Sequence, residues 1–140
     1  MRLAIDDIQV GATYEEQVVF TPERTAEFLR LSRDTAGIHT DEDFSHARGF
    51  EALVVHGFLL SLHFSRILGM ELPGEDTVIG TIELKFHQPA YVGDTVTFSA
   101  TVRRVLKPLG TVLLDLVVKK QDGTVCVEGK TSCVFKGTGP

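Results

Sequence analysis

The sequence predicts an α+β domain in which an antiparallel sheet wraps around one long, buried helix. Three observations carry this. From Thr77 onward, apolar residues fall on every second position, the period of strands with one buried face. Ahead of them, the stretch from His56 to Leu68 or Met70 is apolar nearly all round, as a buried helix is. Four successive strands with an apolar face need cover, and this helix is the only segment large enough to supply it. A length of 140 residues with 43% apolar content suits one domain, 1–140, whose core needs no disulfide framework or structural metal.

The elements follow in order. Thr13–Phe20 is a first strand. Thr21-Pro22 starts a helix: a hydroxyl N-cap, proline at the first helical position, then Glu23 in the first turn. Phe28, Leu29 and Leu31 anchor it. Asp34–Thr40 has no apolar period and is broken by Gly37, so an ordered loop is expected there. Asp41 caps a short helix with Glu42 and Asp43 in its first turn, Arg48 near its end and Gly49 just past it. Phe50–Val55 is extended or turn, and the long helix opens at His56-Gly57. Pro73-Gly74 ends the helical region. The strands then carry Ile82, Leu84 and Phe86; Val96, Phe98, Ala100 and Val102; Val112, Leu114, Leu116 and Val118; and finally Thr124–Phe135. Pro108-Leu109-Gly110 turns the chain, and Asp122-Gly123 is a strong hairpin signal.

Composition excludes several functions. Nineteen acidic against 14 basic side chains leave a net charge of −5, the wrong sign for a general nucleic-acid binder. No run approaches the roughly 20 apolar residues of a membrane span. The start, Met1 to Asp7, has acids where a signal peptide would be apolar. Cys126 and Cys133 share one expected strand, where seven residues span roughly 23 Å, too far for a disulfide. Two reduced thiols and a cytoplasmic protein are the expectation. The charge is uneven. Residues 1–84 carry 6 basic and 15 acidic side chains, and residues 85–140 carry 8 basic and 4 acidic. Arg103, Arg104, Lys107, Lys119 and Lys120 sit at or near strand ends, where they can meet an anionic ligand or simply solvate a sheet edge.

Chemistry has few candidate carriers. Asp34 and His39, five residues apart in a tight loop, can converge on one water. Equally, Asp34 can brace the loop and His39 can sit on the surface. His56-Gly57 opens the buried helix, where free N–H groups can receive a carbonyl or an anion and glycine permits close approach. Alternatively, Gly57 fits a tight turn and His56 bonds the loop. Ser61 and Ser65 lie one turn apart on the helix, without a nucleophile-elbow pattern, and such serines usually bond a carbonyl one turn back. Histidines at 39, 46, 56, 63 and 87 form no His-x-x-x-His pair, and no Cys-x-x-Cys exists, so no metal site is expected.

Taken together, these residues resemble a known family. Leu31-Ser32-Arg33-Asp34-Thr35-Ala36-Gly37-Ile38-His39 followed by His56-Gly57-Phe58-Leu59 is similar to the MaoC-like, (R)-specific enoyl-CoA hydratases of the hot-dog fold. Phe64-Ser65, Leu72-Pro73-Gly74, Phe86-His87-Gln88-Pro89 and Val92-Gly93-Asp94 agree in order and spacing. The resemblance implies that Asp34 and His39 hold and activate water. It implies that Gly57 binds the thioester carbonyl through its backbone N–H, beside His56, and that Ser65 supports the site. The implied reaction is reversible hydration of trans-2-enoyl-CoA to (R)-3-hydroxyacyl-CoA, with no cofactor or metal, coenzyme A being part of the substrate. A homodimer or dimer of dimers is implied, with sites near the interface. The family loop usually reads Gly-Asp-x-Asn-Pro-x-His. Here Arg33 replaces the glycine and Ala36-Gly37 replaces Asn-Pro, so a looser loop is expected. Two other functions compete. A hot-dog thioesterase is disfavoured because Phe58–Met70 contains no Asp or Glu to act on the central helix. The other is a non-catalytic acyl-CoA-binding protein.

Overall fold

The computed structural model describes residues 2–137. Strand β1 (Thr13–Val19) leads into helix α1 (Pro22–Ser32). Thr21 Oγ1 accepts from Arg24 N at 3.2 Å, with Pro22 at the first helical position, as the local chemistry requires. Two short helices follow, α2 (Gly37–Thr40) and α3 (Glu42–Ala47). Asp41 caps α3, its Oδ1 accepting from Phe44 N at 3.1 Å. Helix α4 (Gly57–Arg66) continues into a wider π turn, Ile67–Glu71. Strands β2 (Thr77–Phe86), β3 (Thr95–Leu106), β4 (Thr111–Lys120) and β5 (Val125–Phe135) complete the chain.

All five strands form one antiparallel sheet in the order β1-β3-β4-β5-β2. Although β2 and β3 follow each other in sequence, they are not neighbours. Strand β2 takes the edge beside β5, and the chain then crosses over to seat β3 between β1 and β4. On that crossing Tyr91 bridges to Val54, which ties the segment before α4 to the sheet. From Thr95 to Val102 in β3 and from Thr111 to Val118 in β4, buried residues alternate with less buried ones, the two-residue period seen in the sequence.

Helix α4 lies against this apolar face. Leu59, Leu60 and Phe64 are buried, and Phe64 and Phe20 both meet Phe98 edge-on, at 5.2 and 6.4 Å. Phe98 is fully buried, a contribution of roughly 1.5–3 kcal/mol from its apolar surface alone. The helix is not buried all round in the single chain, as its sequence suggests. Phe58 is 79% exposed and Leu62 50% exposed. The sheet covers one side of α4, and the other side stays apolar and open. Cys126 and Cys133 are free and fully buried in β5, with burial pushing the Cys133 thiol up to about 11. Among the described residues no helix is long and apolar enough to cross a membrane.

Candidate active site

The segment after α1 is built by local hydrogen bonds. Arg33 ends α1 in the left-handed conformation, with its N–H on Leu29 O. Ser32 Oγ accepts from Asp34 N at 3.1 Å, and Asp34 Oδ1 accepts from Ala36 N at 3.1 Å. The expected loop then closes into the single turn α2, because Thr40 Oγ1 bonds the Thr35 and Ala36 carbonyls and Asp41 N reaches Gly37 O. That turn carries His39 back over Asp34.

The two groups converge as their spacing suggests. His39 Nε2 lies 3.8 Å from Asp34 Oδ2, too far for a direct hydrogen bond. Nδ1 of His39 is 2.6 Å from Val54 O. A carbonyl can only accept, so the hydrogen is assigned to Nδ1, and Nε2 offers a lone pair toward the carboxylate. His39 is 9% exposed, whereas the Asp34 side chain is 48% exposed in the single chain. His56 supports both. Its Nε2 donates to the Asp34 backbone carbonyl at 2.9 Å, and its ring stacks on His39 with centroids 3.8 Å apart. Phe28 packs against the same ring at 4.9 Å. With Nε2 as donor, His56 Nδ1 is left buried without a partner among the described residues.

Gly57 starts α4 immediately after His56, and the His56 side chain makes no capping bond to the first turn. The open helix end faces a cavity of about 380 Å³ lined by Phe28, Ser32, Asp34, His56, Gly57, Phe58 and Phe86. Polar groups therefore meet three aromatic rings at one helix N-terminus, the composition of a site for an apolar chain with a polar head. The sequence profile of the MaoC-like domain family matches residues 7–112. The chain belongs to the MaoC-like domain family. An (R)-specific enoyl-CoA hydratase of Aeromonas caviae is 33% identical over 130 residues, 91% of this chain and 96% of that protein. Another protein of that name, from Rhodospirillum rubrum, is 32% identical, covering 80% of this chain and 77% of its own. The solved (R)-hydratase of A. caviae superposes with a TM-score of 0.87 at 30% identity, covering 92% of this chain and 98% of that one. An R-hydratase of Pseudomonas aeruginosa shares the fold at a TM-score of 0.88 and 23% identity, covering 96% and 86%. The sheet wrapped around a helix, inferred from periodicity, and the hot-dog fold, implied by the resemblance, are thus the fold of this MaoC-like protein.

Four of the five residues singled out in the sequence come together: Asp34, His39, His56 and Gly57. Ser65 does not line the cavity. It is exposed, eight residues along α4 from Gly57, or about 12 Å of helix rise. Ser61 Oγ bonds Gly57 O at 2.9 Å, the one-turn-back bond expected of a mid-helix serine. Sequence reasoning missed Ser32, Phe58 and Phe86 as cavity walls, and Phe28, which packs against the core as an anchor of α1, also lines the cavity. Phe28 and Ser32 are one turn apart on α1, so that spacing was the available signal.

One carboxylate oxygen of Asp34 and one ring nitrogen from each of His39 and His56 lie within 4.8 Å of one another. The rings, however, are stacked with planes only 21° apart. A ring nitrogen's lone pair lies in its ring plane, and zinc sits about 2.0–2.1 Å along it. In nearly parallel, stacked rings the lone pairs run side by side rather than converging on one point, a poor arrangement for holding an ion between them. Of the basic residues in the second half, Arg103 pairs with Asp115, Lys107 with Asp6 and Lys120 with Asp94.

Proposed function

We propose that this protein is an (R)-specific enoyl-CoA hydratase that adds water reversibly across the C2=C3 bond of a trans-2-enoyl thioester. The observation that carries the reading is the facing of Asp34 Oδ2 and His39 Nε2 at 3.8 Å beside the open N-terminus of α4. A water oxygen about 2.8 Å from both atoms bridges that gap. One of the pair takes a proton from the water as its oxygen bonds to C3. The C2=C3 electron pair moves toward the thioester carbonyl, whose oxygen gains charge at the Gly57 N–H. A proton then returns to C2, and the enolate collapses to the (R)-3-hydroxyacyl thioester. The scheme calls on no cofactor, and coenzyme A enters as part of the substrate. The curated relatives named (R)-specific enoyl-CoA hydratase support this reading at 33% and 32% identity.

The working unit in this reading is a homodimer in the cytoplasm. Edge strand β2 is exposed along most of its length, with Val78, Ile79, Ile82 and Phe86 all above 40% exposed. Phe58 and Leu62 extend that apolar surface onto α4. Phe58 and Phe86 also wall the cavity, so a second copy seated there would cover Asp34 and enclose the acyl chain.

The test is hydration of crotonyl-CoA, followed as loss of the conjugated enoyl absorbance. Asp34→Asn and His39→Gln should each lower kcat by about 10²- to 10⁴-fold while leaving the fold intact by circular dichroism. No turnover of any enoyl-CoA from short to medium chain sinks the reading. Release of free thiol from saturated acyl-CoA would point to a thioesterase instead.

A further inference from the structure

Arg33 is the one non-glycine residue in the left-handed region among the described residues, at φ 60° and ψ 19°. It occupies the end of α1, where a glycine carries no steric penalty and any other residue does. Its guanidinium is exposed and has no ion pair, hydrogen bond or ring partner among the described residues. It therefore returns nothing to the fold for the strain it brings. Its neighbours on both sides, Ser32 and Asp34, line the cavity at α4. Arg33 itself does not line the cavity, but an exposed, unpaired cation held in a strained backbone conformation between two lining residues is a candidate for function.

Resting on the hydratase reading, we propose that Arg33 is a specificity-determining residue that receives the phosphate of the phosphopantetheine arm carrying the acyl thioester. The cavity takes the acyl chain and thioester, and the remainder of the arm leaves past the Ser32–Asp34 rim. A planar guanidinium there forms charge-assisted, bidentate bonds to a phosphate without crossing the fold. The phosphate can belong to coenzyme A or to a carrier protein's prosthetic arm. On the sheet, Arg103, Lys107 and Lys120 are already ion-paired, which leaves Arg104 and Lys119 as the alternative receivers there.

The test compares the native chain with Arg33→Gly and Arg33→Lys on three crotonyl thioesters: of coenzyme A, of 4′-phosphopantetheine and of pantetheine, which lacks phosphate. Arg33→Gly should melt higher than the native chain. Its KM for crotonyl-CoA should rise about tenfold with kcat unchanged, the size of one exposed charge-assisted contact. Crotonyl-pantetheine should show the same KM in both proteins, and Arg33→Lys should recover part of the loss. An equal rise with the phosphopantetheine thioester locates the contact at the phosphate shared with carrier proteins. A rise with coenzyme A alone places the contact at phosphates beyond the arm and overturns the proposal. An unchanged KM for crotonyl-CoA in Arg33→Gly overturns the proposal, as does the same change with pantetheine or a shift in kcat and its pH profile, which would mean that Arg33 acts on Asp34. Calorimetric Kd values for crotonyl-CoA read the same contact without turnover. A protein that binds tenfold more weakly as Arg33→Gly yet hydrates nothing would refute the hydratase reading and leave this one standing.

Discussion

Substituting Gly57 by alanine separates catalysis from folding. Gly57 has an ordinary helical backbone, outside the positive-φ glycines, so alanine fits its conformation. An added Cβ would lie 3.3 Å from Phe86 Cε1 and 3.6 Å from Cδ1. That is tight by a few tenths of an ångström, but Phe86 ends an edge strand and is 52% exposed, so its ring can yield. Alanine also restricts the unfolded chain, worth about 0.4–1 kcal/mol in favour of the fold. The two effects oppose each other, and Tm should stay within about 3 °C of the native value. Activity has no such compensation. The methyl group enters the cavity at the N–H that the carbonyl must reach. Displacing the carbonyl by about 1 Å costs on the order of 100-fold, and losing the donor outright costs about 10²- to 10³-fold in kcat. On crotonyl-CoA, kcat should therefore fall at least about 100-fold, while differential scanning calorimetry shows an unchanged melting transition. Retention of more than about a third of kcat with a native Tm would refute the assignment of Gly57 as the carbonyl site, since such a loss is far below that of a missing oxyanion donor.

Two further outcomes are expected. Burial lowers the pKa of His63, an effect that Arg24 and Arg66 reinforce and Glu16 opposes. The unfolded chain thus takes up this proton first, so stability is fully present above about pH 6.5 and declines as pH falls toward the folded value. His63→Gln, which can still accept from Arg24, should flatten the Tm-against-pH slope between about pH 7 and 5, and an unchanged slope refutes the assignment. If β2 is the subunit contact, Ile82→Lys should convert a dimer to a folded monomer in sedimentation velocity and reduce turnover with it; a native chain that sediments as a monomer at assay concentrations refutes the contact.

Much of this was legible in the sequence, because local chemistry decided it. Thr21-Pro22 and Asp41 cap the helices they announce, and the alternation from Val96 to Val118 survives as alternating burial. Strand order was less visible. Nothing within β2 states that it pairs with β5 across a crossing made by Pro89 to Asp94. The exposed side of α4 was misjudged for a related reason. Apolar residues all round a helix signal that it is covered on every side, whereas in the single chain Phe58 and Leu62 leave one side of it open. At the site, the convergence of Asp34 and His39 was suggested by their short spacing, and Gly57 by its place at the start of the helix, with the family resemblance adding the rest. Phe86 was not, because it reaches Gly57 only through the fold.

With Ala36-Gly37 in place of Asn-Pro, the turn that carries Asp34 and His39 is held by other hydrogen bonds. Residues both inside and outside the loop brace it. His56 donates to the Asp34 carbonyl, and Val54 fixes the His39 ring through Nδ1. Thr40 bonds two carbonyls of the turn, and Ser32 holds the Asp34 amide. Gly37 serves packing rather than freedom. A Cβ there would lie 2.6 Å from the Phe44 ring, which presses directly on the backbone, and Arg48 covers that ring at 4.2 Å. The Asp34 carboxylate is left with one oxygen bonded to Ala36 N and the other turned to His39, a division of labour suited to orienting one water. Because the braces come from α1, α3 and the segment before α4, errors in the positions of Asp34 and His39 are tied to those of the fold itself. That tie links the geometry of the pair to the stability of the domain rather than to two loop residues.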